Sequence, residues 1–232
     1  HDAAKNTNEL AAVRQQVADS GLAVESAIGF ARWIVDDEAE RKQGLADARR
    51  DMEALVAIGG RRIAAPPAGA SGPIDLQRVA ERYRTLVELG RQTGVTPQLE
   101  LWGHSPALSR IGQLLYVAAE AGCDETCLLP DVYHIYKGGS PFAGLQMVDG
   151  SRIEVFHMND YPADPPRDSI SDEHRVYPGD GVAPIREIVG YLQEAGFRGV
   201  FSLELFNRQY WKEDPLAVAR TGLEKMKRAV EA

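Results

Sequence analysis

Residues 199–230 read GVFSLELFNRQYWKEDPLAVARTGLEKMKRAV, and this stretch contains one complete β/α unit. GVFSLELF is a short apolar run of strand length. Asp214-Pro215 then opens a helix in which Leu216, Leu223, Met226 and Val230 recur at helical spacing. At the end of the strand, between two leucines, stands Glu204. A carboxylate among apolar neighbours costs several kcal/mol unless something pairs with it.

The same pattern extends upstream. Strands are expected near 22–28, 61–66, 96–102, 125–131, 153–159 and 199–206. Helices are expected before and between them: one capped by Thr7 ahead of the first strand, one running from about Asp37 to Gly59-Gly60, and one capped by Asp75. A fourth is opened by Ser105-Pro106 and ends at Gly122, and a fifth spans Pro184 to Ala195. Six such units in strict alternation specify a parallel sheet with helices outside it, either a (β/α) barrel or a doubly wound sheet. No G-x-G-x-x-G or P-loop follows any of the strands, so nucleotide-binding versions lose their usual signature. The chemistry-bearing residues lie at strand C-terminal ends, which is where barrel enzymes keep theirs. A TIM-type (β/α) barrel is therefore expected, as one domain over residues 1–232. A closed barrel has eight strands, and the abrupt start HDAAKNTNEL suggests that a first β-α-β segment is absent.

Four ionisable groups share this strand-end placement: Glu100 in VTPQLELWG, Asp131 in DETCLLPD, His157 in RIEVFHMND and Glu204. Each has an ordinary explanation by itself. Glu100 could pair with a core arginine, Asp131 could cap a helix, and His157 could be a hydrogen-bonded core histidine. One shared divalent ion would satisfy all four at once. Three carboxylates and one imidazole suit Mn²⁺, Mg²⁺ or Co²⁺, with Zn²⁺ also within their range. Asp131-Val132-Tyr133-His134 brings His134 to the side of Asp131 if a helix or turn follows. The polar stretch from Asp160 to Gly181 reads as a lid or binding loop. Within it Arg175 offers a fixed fork of donors to a hydroxyl-rich or anionic ligand, unless it is merely solvated. Trp102, Phe206 and Trp211 sit near the same rim. An aromatic face there can pack on a sugar ring, although each could equally belong to the core.

Bulk composition narrows the partners. The chain has 232 residues, is 44% hydrophobic and 26% charged, and carries a net charge of -8. That balance argues against a nucleic-acid surface, which needs clustered Lys and Arg. No apolar run approaches the roughly 20 residues that span a bilayer. The two cysteines, Cys123 and Cys127, read as buried small hydrophobes. A cytoplasmic location is expected, with an exported form as the alternative, and the sequence leaves a homo-oligomer open.

LELWG, LLPDVYH, VFHMND, RVYPGDG and FSLELFN, in this order and placement, resemble the xylose isomerase-like TIM-barrel superfamily over essentially the whole chain. The resemblance implies that Glu100, Asp131, His157 and Glu204 bind one divalent metal, and that Glu100 and Glu204 also act as acid and base. It implies that His134 and Arg175 contact the substrate, and it places His1 near the pocket. The implied chemistry is isomerisation or epimerisation of a sugar or related polyol ketone through an enediolate. The alternatives are a lyase or dehydratase on the same scaffold and a non-catalytic sugar-binding barrel.

Overall fold

The computed structural model describes residues 7–231. The chain resolves into two compact units, one formed by residues up to Glu100 with Leu114–Leu128, the other by Leu101–Gln113 with the residues from Leu129 onward. His1, expected near the pocket, lies outside the described residues.

The first unit contains α1 (Thr7–Asp19), α2 (Glu38–Ala57), β1 (Arg62–Ala65), α3 (Leu76–Thr93), β2 (Thr96–Glu100) and most of α4 (Ile111–Ala121). β1 and β2 run parallel, in register from Arg62↔Thr96 to Ala65↔Leu99, and β3 (Cys127–Leu129) follows β2 in the sheet. The α3 sequence explains its seat on that sheet. Val79, Tyr83, Leu86, Val87 and Gly90 fall on one stripe and are buried. The Tyr83 hydroxyl donates to the Pro97 carbonyl at 2.8 Å and accepts from Cys127 N–H at 3.4 Å, so one phenol ties the helix to two strands. Asp75 caps α3 by accepting from Arg78 N–H at 3.1 Å, and Gly94 ends it with φ +77°, in the left-handed region that glycine adopts without strain.

The strand expected at residues 22–28 is reduced to a single parallel bridge, Ala27↔Ile63. Leu22 there is 70% exposed. Ala27 makes the backbone pairing to β1, through its N–H on Arg62 O at 3.0 Å and its carbonyl under Ala64 N–H at 2.8 Å. A ladder needs consecutive pairs, and this segment makes one.

The second unit contains α5 (Val132–Lys137), β4 (Val155–Met158), α6 (Ile185–Glu194), β5 (Val200–Leu203) and α7 (Pro215–Glu231). β4 and β5 pair in parallel from Val155↔Val200 to Met158↔Leu203. A further parallel bridge joins Asp131 to His157.

The fourth helix starts later than its sequence signals. Ser105 Oγ accepts from Ala107 N–H and Leu108 N–H, capping a single turn, and α4 begins at Ile111. There Gln113 Oε1 accepts from Ser109 N–H and Arg110 N–H, and Ser140 Oγ accepts from Ile111 N–H at 3.0 Å. Gln113, within the helix, and Ser140, remote in sequence, took the capping role that Ser105-Pro106 advertised. Among the described residues no helix is long and apolar enough to cross a membrane.

Candidate functional site

Strand register in the second unit decides which side chains meet. His157 N–H donates to Pro130 O at 3.0 Å and Glu204 N–H to Met158 O at 3.3 Å, which sets Asp131 and Glu204 on either side of the end of β4. His157 Nδ1 lies 3.3 Å from Glu204 Oε2 and 3.9 Å from Asp131 Oδ2. Two carboxylates and an imidazole from three separate segments thus present ligand atoms to one another in a buried setting. Glu100, the last residue of β2 in the first unit, is buried as well.

Asp131 is both a cap and part of this cluster. Its extended backbone (φ −138°, ψ 135°) makes it the N-cap of α5, with Oδ1 accepting from His134 N–H at 2.7 Å. Oδ2 accepts from Asn159 Nδ2 at 2.8 Å and from Arg175 Nη1 at 3.2 Å. Burial pushes its carboxyl pKa up, and the Arg175 charge opposes that rise.

Arg175 is no solvated loop residue: its side chain is 1% exposed. Nη1 reaches Glu204 Oε2 at 2.7 Å, and Nη2 donates to Asp172 and lies 3.1 Å from His134 Nε2. The guanidinium carbon sits 4.5 Å from the Tyr133 ring centroid and 5.1 Å from that of Phe206, between two aromatic faces. Its Nε is buried with no acceptor among the described residues. Burial disfavours the charged form of Glu204, but the hydrogen bond to His157 and the charges of His157 and Arg175 outweigh it and hold the carboxyl well below the usual range.

His134 is buried, and desolvation with the Arg175 charge holds its pKa well below that of a free imidazole. Gly103 N–H points at its Nδ1 at 3.3 Å and Arg175 Nη2 faces its Nε2. A neutral imidazole accepts at one nitrogen only, so one of these two donors is poorly served. Trp102 is half-buried and stacks on His104, with centroids 5.4 Å apart and planes at 26°. Trp211 stands exposed.

The expected binding loop is anchored rather than loose. Asp160 and Val176 form an antiparallel bridge, and the Asp160 carboxylate accepts from the N–H groups of Tyr161, Gly179, Gly181 and Ala183. That clamp leads directly into Arg175. At the end of α5, Lys137 Nζ donates to Arg167 O and Asp168 O in the same loop, and Gly138 ends the helix.

Sequence reasoning passed over Asn159, Asp160, Asp172 and Tyr133. For Asn159 a signal existed, because it stands two residues beyond His157 in the same run, at the spacing that returns a strand side chain to one face.

A model of the family described as xylose isomerase-like TIM barrel matches residues 2–229. The inosose isomerase of Halalkalibacterium halodurans is 30% identical over 181 residues, which cover 76% of this chain. The chain spans 64% of the length of that relative. The 3-dehydro-D-guloside 4-epimerase of Escherichia coli K12 is 23% identical over 235 residues, covering 93% of this chain and 83% of its own. Among solved structures, the IolI protein with a bound zinc atom superposes with a TM-score of 0.88 at 22% identity, over 95% of this chain and 81% of that one. An L-ribulose 3-epimerase gives a TM-score of 0.78 at 20% identity, over 96% and 80%. The fold is that of a TIM barrel.

Proposed function

Since the chain belongs to the xylose isomerase-like TIM barrel family, we propose that it is a divalent-metal-dependent isomerase or epimerase of a sugar or related polyol ketone. The observation that carries this reading is the meeting of Asp131, His157 and Glu204, with His157 Nδ1 at 3.9 and 3.3 Å from the two carboxylates. Two carboxylates within 3.9 Å of one imidazole nitrogen, with Asp131 and His157 buried and Glu204 partly so, form a donor set suited to a hard or borderline divalent ion. Glu100, buried at the end of β2, is the fourth ligand in this proposal. The printed activities of the relatives, inosose isomerase and 3-dehydro-D-guloside 4-epimerase, support the substrate class.

When bound, the metal supplies polarisation of a substrate carbonyl and so acidifies the adjacent C–H. Glu204 is held ionised in the second unit, which is the state a general base requires. While Arg175 grips its Oε2, however, Glu204 is a weak base. A substrate oxygen that draws Nη1 away frees Glu204 to take the proton, and the same oxygen serves the unmet donors of Arg175. His134, neutral and flanked by two donors, accepts or donates to a substrate hydroxyl at Nε2. Glu100, entering as the protonated acid, delivers a proton to carbon of the enediolate as Glu204 keeps the one it removed, and exchange with solvent then restores both carboxyls. Return to the neighbouring carbon yields isomerisation, and return to the opposite face yields epimerisation. Trp102 offers a ring face to the sugar.

Incubation in D₂O with Mn²⁺ and a panel of ketoses, inososes and 3-oxo-glycosides tests the proposal. Deuterium uptake at carbon next to the carbonyl is expected for at least one of them. Loss of water or of an aglycone along with label would reassign the protein as a lyase. No uptake across the panel, from protein holding stoichiometric metal, counts against enediolate chemistry.

A further inference from the structure

We propose that Asn159 is a positioning residue that aims the Asp131 carboxylate, an inference resting on the reading of Asp131 as a metal ligand. Asn159 is 0% exposed, and a buried amide is costly unless its groups are bonded. Both halves of this amide are engaged. Oδ1 accepts from the backbone N–H of Tyr133 at 2.9 Å, and Nδ2 donates to Asp131 Oδ2 at 2.8 Å. The first bond fixes the second, because an amide whose oxygen faces a backbone N–H must turn its NH₂ to the other side. Asn159 therefore converts the rigid first turn of α5 into a directional donor on Asp131.

The residue type follows from the task. Oδ2 is also the oxygen that approaches His157 Nδ1 and receives Arg175. Arg175 divides its donors among Asp131, Glu204 and Asp172, so it can leave when a ligand competes for it. Asn159 has no other partner to turn to among the described residues. A lysine or arginine in its place would bring a cation beside a metal, and an aspartate would bring no donor. A neutral side chain that accepts from a backbone and donates to a carboxylate meets both demands.

The test compares the purified full chain with Asn159→Ala, Asn159→Asp and Asp131→Asn, titrating Mn²⁺ and Zn²⁺ against a chelating indicator and recording thermal unfolding of each metal-free protein. Asn159→Asp keeps an acceptor for Tyr133 N–H and loses the donor to Asp131. The inference predicts metal affinity about 10- to 100-fold weaker in both Asn159 variants, the usual range for groups that orient a ligand. If Asn159 merely anchors α5, Asn159→Asp binds metal as the wild type does, and the inference fails. It fails equally if folded Asn159→Ala keeps its affinity, or if neither variant folds, since Asn159 then serves the fold. Asp131→Asn separates the two levels: metal binding indifferent to Asp131→Asn overturns the metal centre itself, whereas loss there with intact Asn159 variants overturns only the positioning role.

Discussion

Arg175 Nη1 lies 2.7 Å from Glu204 Oε2, the same carboxylate oxygen that His157 Nδ1 approaches to 3.3 Å. The second unit thus carries its own cation against the groups proposed to hold a metal. Two cations beside one carboxylate repel each other, and the metal-free protein and the loaded one place different demands on Arg175.

Replacement of Arg175 by Met removes that internal cation and leaves Asp131 buried without its charged partner. Breaking a buried pair in this way costs about 3–5 kcal/mol. Urea unfolding in the presence of a chelator should show a loss of that order. Part of it should return on adding Mn²⁺, which takes over the counter-charge. A variant as stable as the wild type in chelator would show that the pair contributes nothing to the fold. In turnover, Arg175→Lys should raise KM more than it lowers kcat, because a point charge cannot reproduce the fork.

Glu204→Gln and Glu100→Gln test the proton-transfer roles. Each should lower deuterium uptake by about 10²- to 10⁴-fold, the usual share of a positioned acid or base. Circular dichroism should change little, since Glu204 lies one residue beyond β5 and Glu100 is the last residue of β2. Full label uptake by either variant would remove it from the acid-base pair.

Much of the fold was legible because its signals are local. Asp37, Asp75 and Asp214 each cap a helix where their spacing placed them. Strand ends carrying Asp131, His157 and Glu204 were also visible, since an ionisable group in an apolar run is conspicuous. What sequence could not convey depends on partners far along the chain. Ser105-Pro106 has every local mark of a helix start, yet Ser140, from a loop thirty-five residues later, receives the first N–H of α4. Arg175 reads as a loop arginine until Tyr133 and Phe206 enclose it. Residues 22–28 are apolar enough for a strand, but pairing is a property of the neighbour, and β1 meets them only at Ala27.

An acid-range prediction concerns the first unit. Arg91 donates Nε and Nη2 to the two oxygens of Glu125 at 2.8 and 2.7 Å, and these bonds hold its pKa at about 2, against an ordinary value of 4.5. A carboxyl depressed in the folded state favours folding when ionised. Its contribution is therefore complete above about pH 4.5 and disappears as pH falls toward 2. The pair is exposed, so solvent and salt weaken it. Wild type and Glu125→Gln should differ slightly in stability at pH 6, converge near pH 2, and differ less in 0.5 M NaCl. A difference that persists unchanged at pH 2 would show that Gln perturbs something other than the charge.

Asp160 is the point at which the Arg175 loop is fixed. Oδ1 accepts from Tyr161 and Ala183 N–H, and Oδ2 from Gly179 and Gly181 N–H. A carboxylate can serve four donors in this arrangement, and an amide cannot. In Asp160→Asn the NH₂ group would confront two backbone N–H groups. A buried donor left unmet costs about 1–3 kcal/mol, and because Gly179 is exposed and Gly181 and Ala183 are half-buried, water offsets part of it, so a loss of about 1–3 kcal/mol in total is expected by urea titration. Gly181 bears on the same point, because a Cβ there would collide with Asp160 Oδ1 and Tyr161 O. Gly181→Ala should therefore loosen the same loop while leaving Asp160 chemically intact. Both variants should become sensitive to limited proteolysis within residues 176–183 and should bind substrate less well, because Arg175 directly precedes that segment. If Asp160→Asn keeps wild-type stability and protease resistance, the four bonds do not hold the loop, and the placement of Arg175 has another origin.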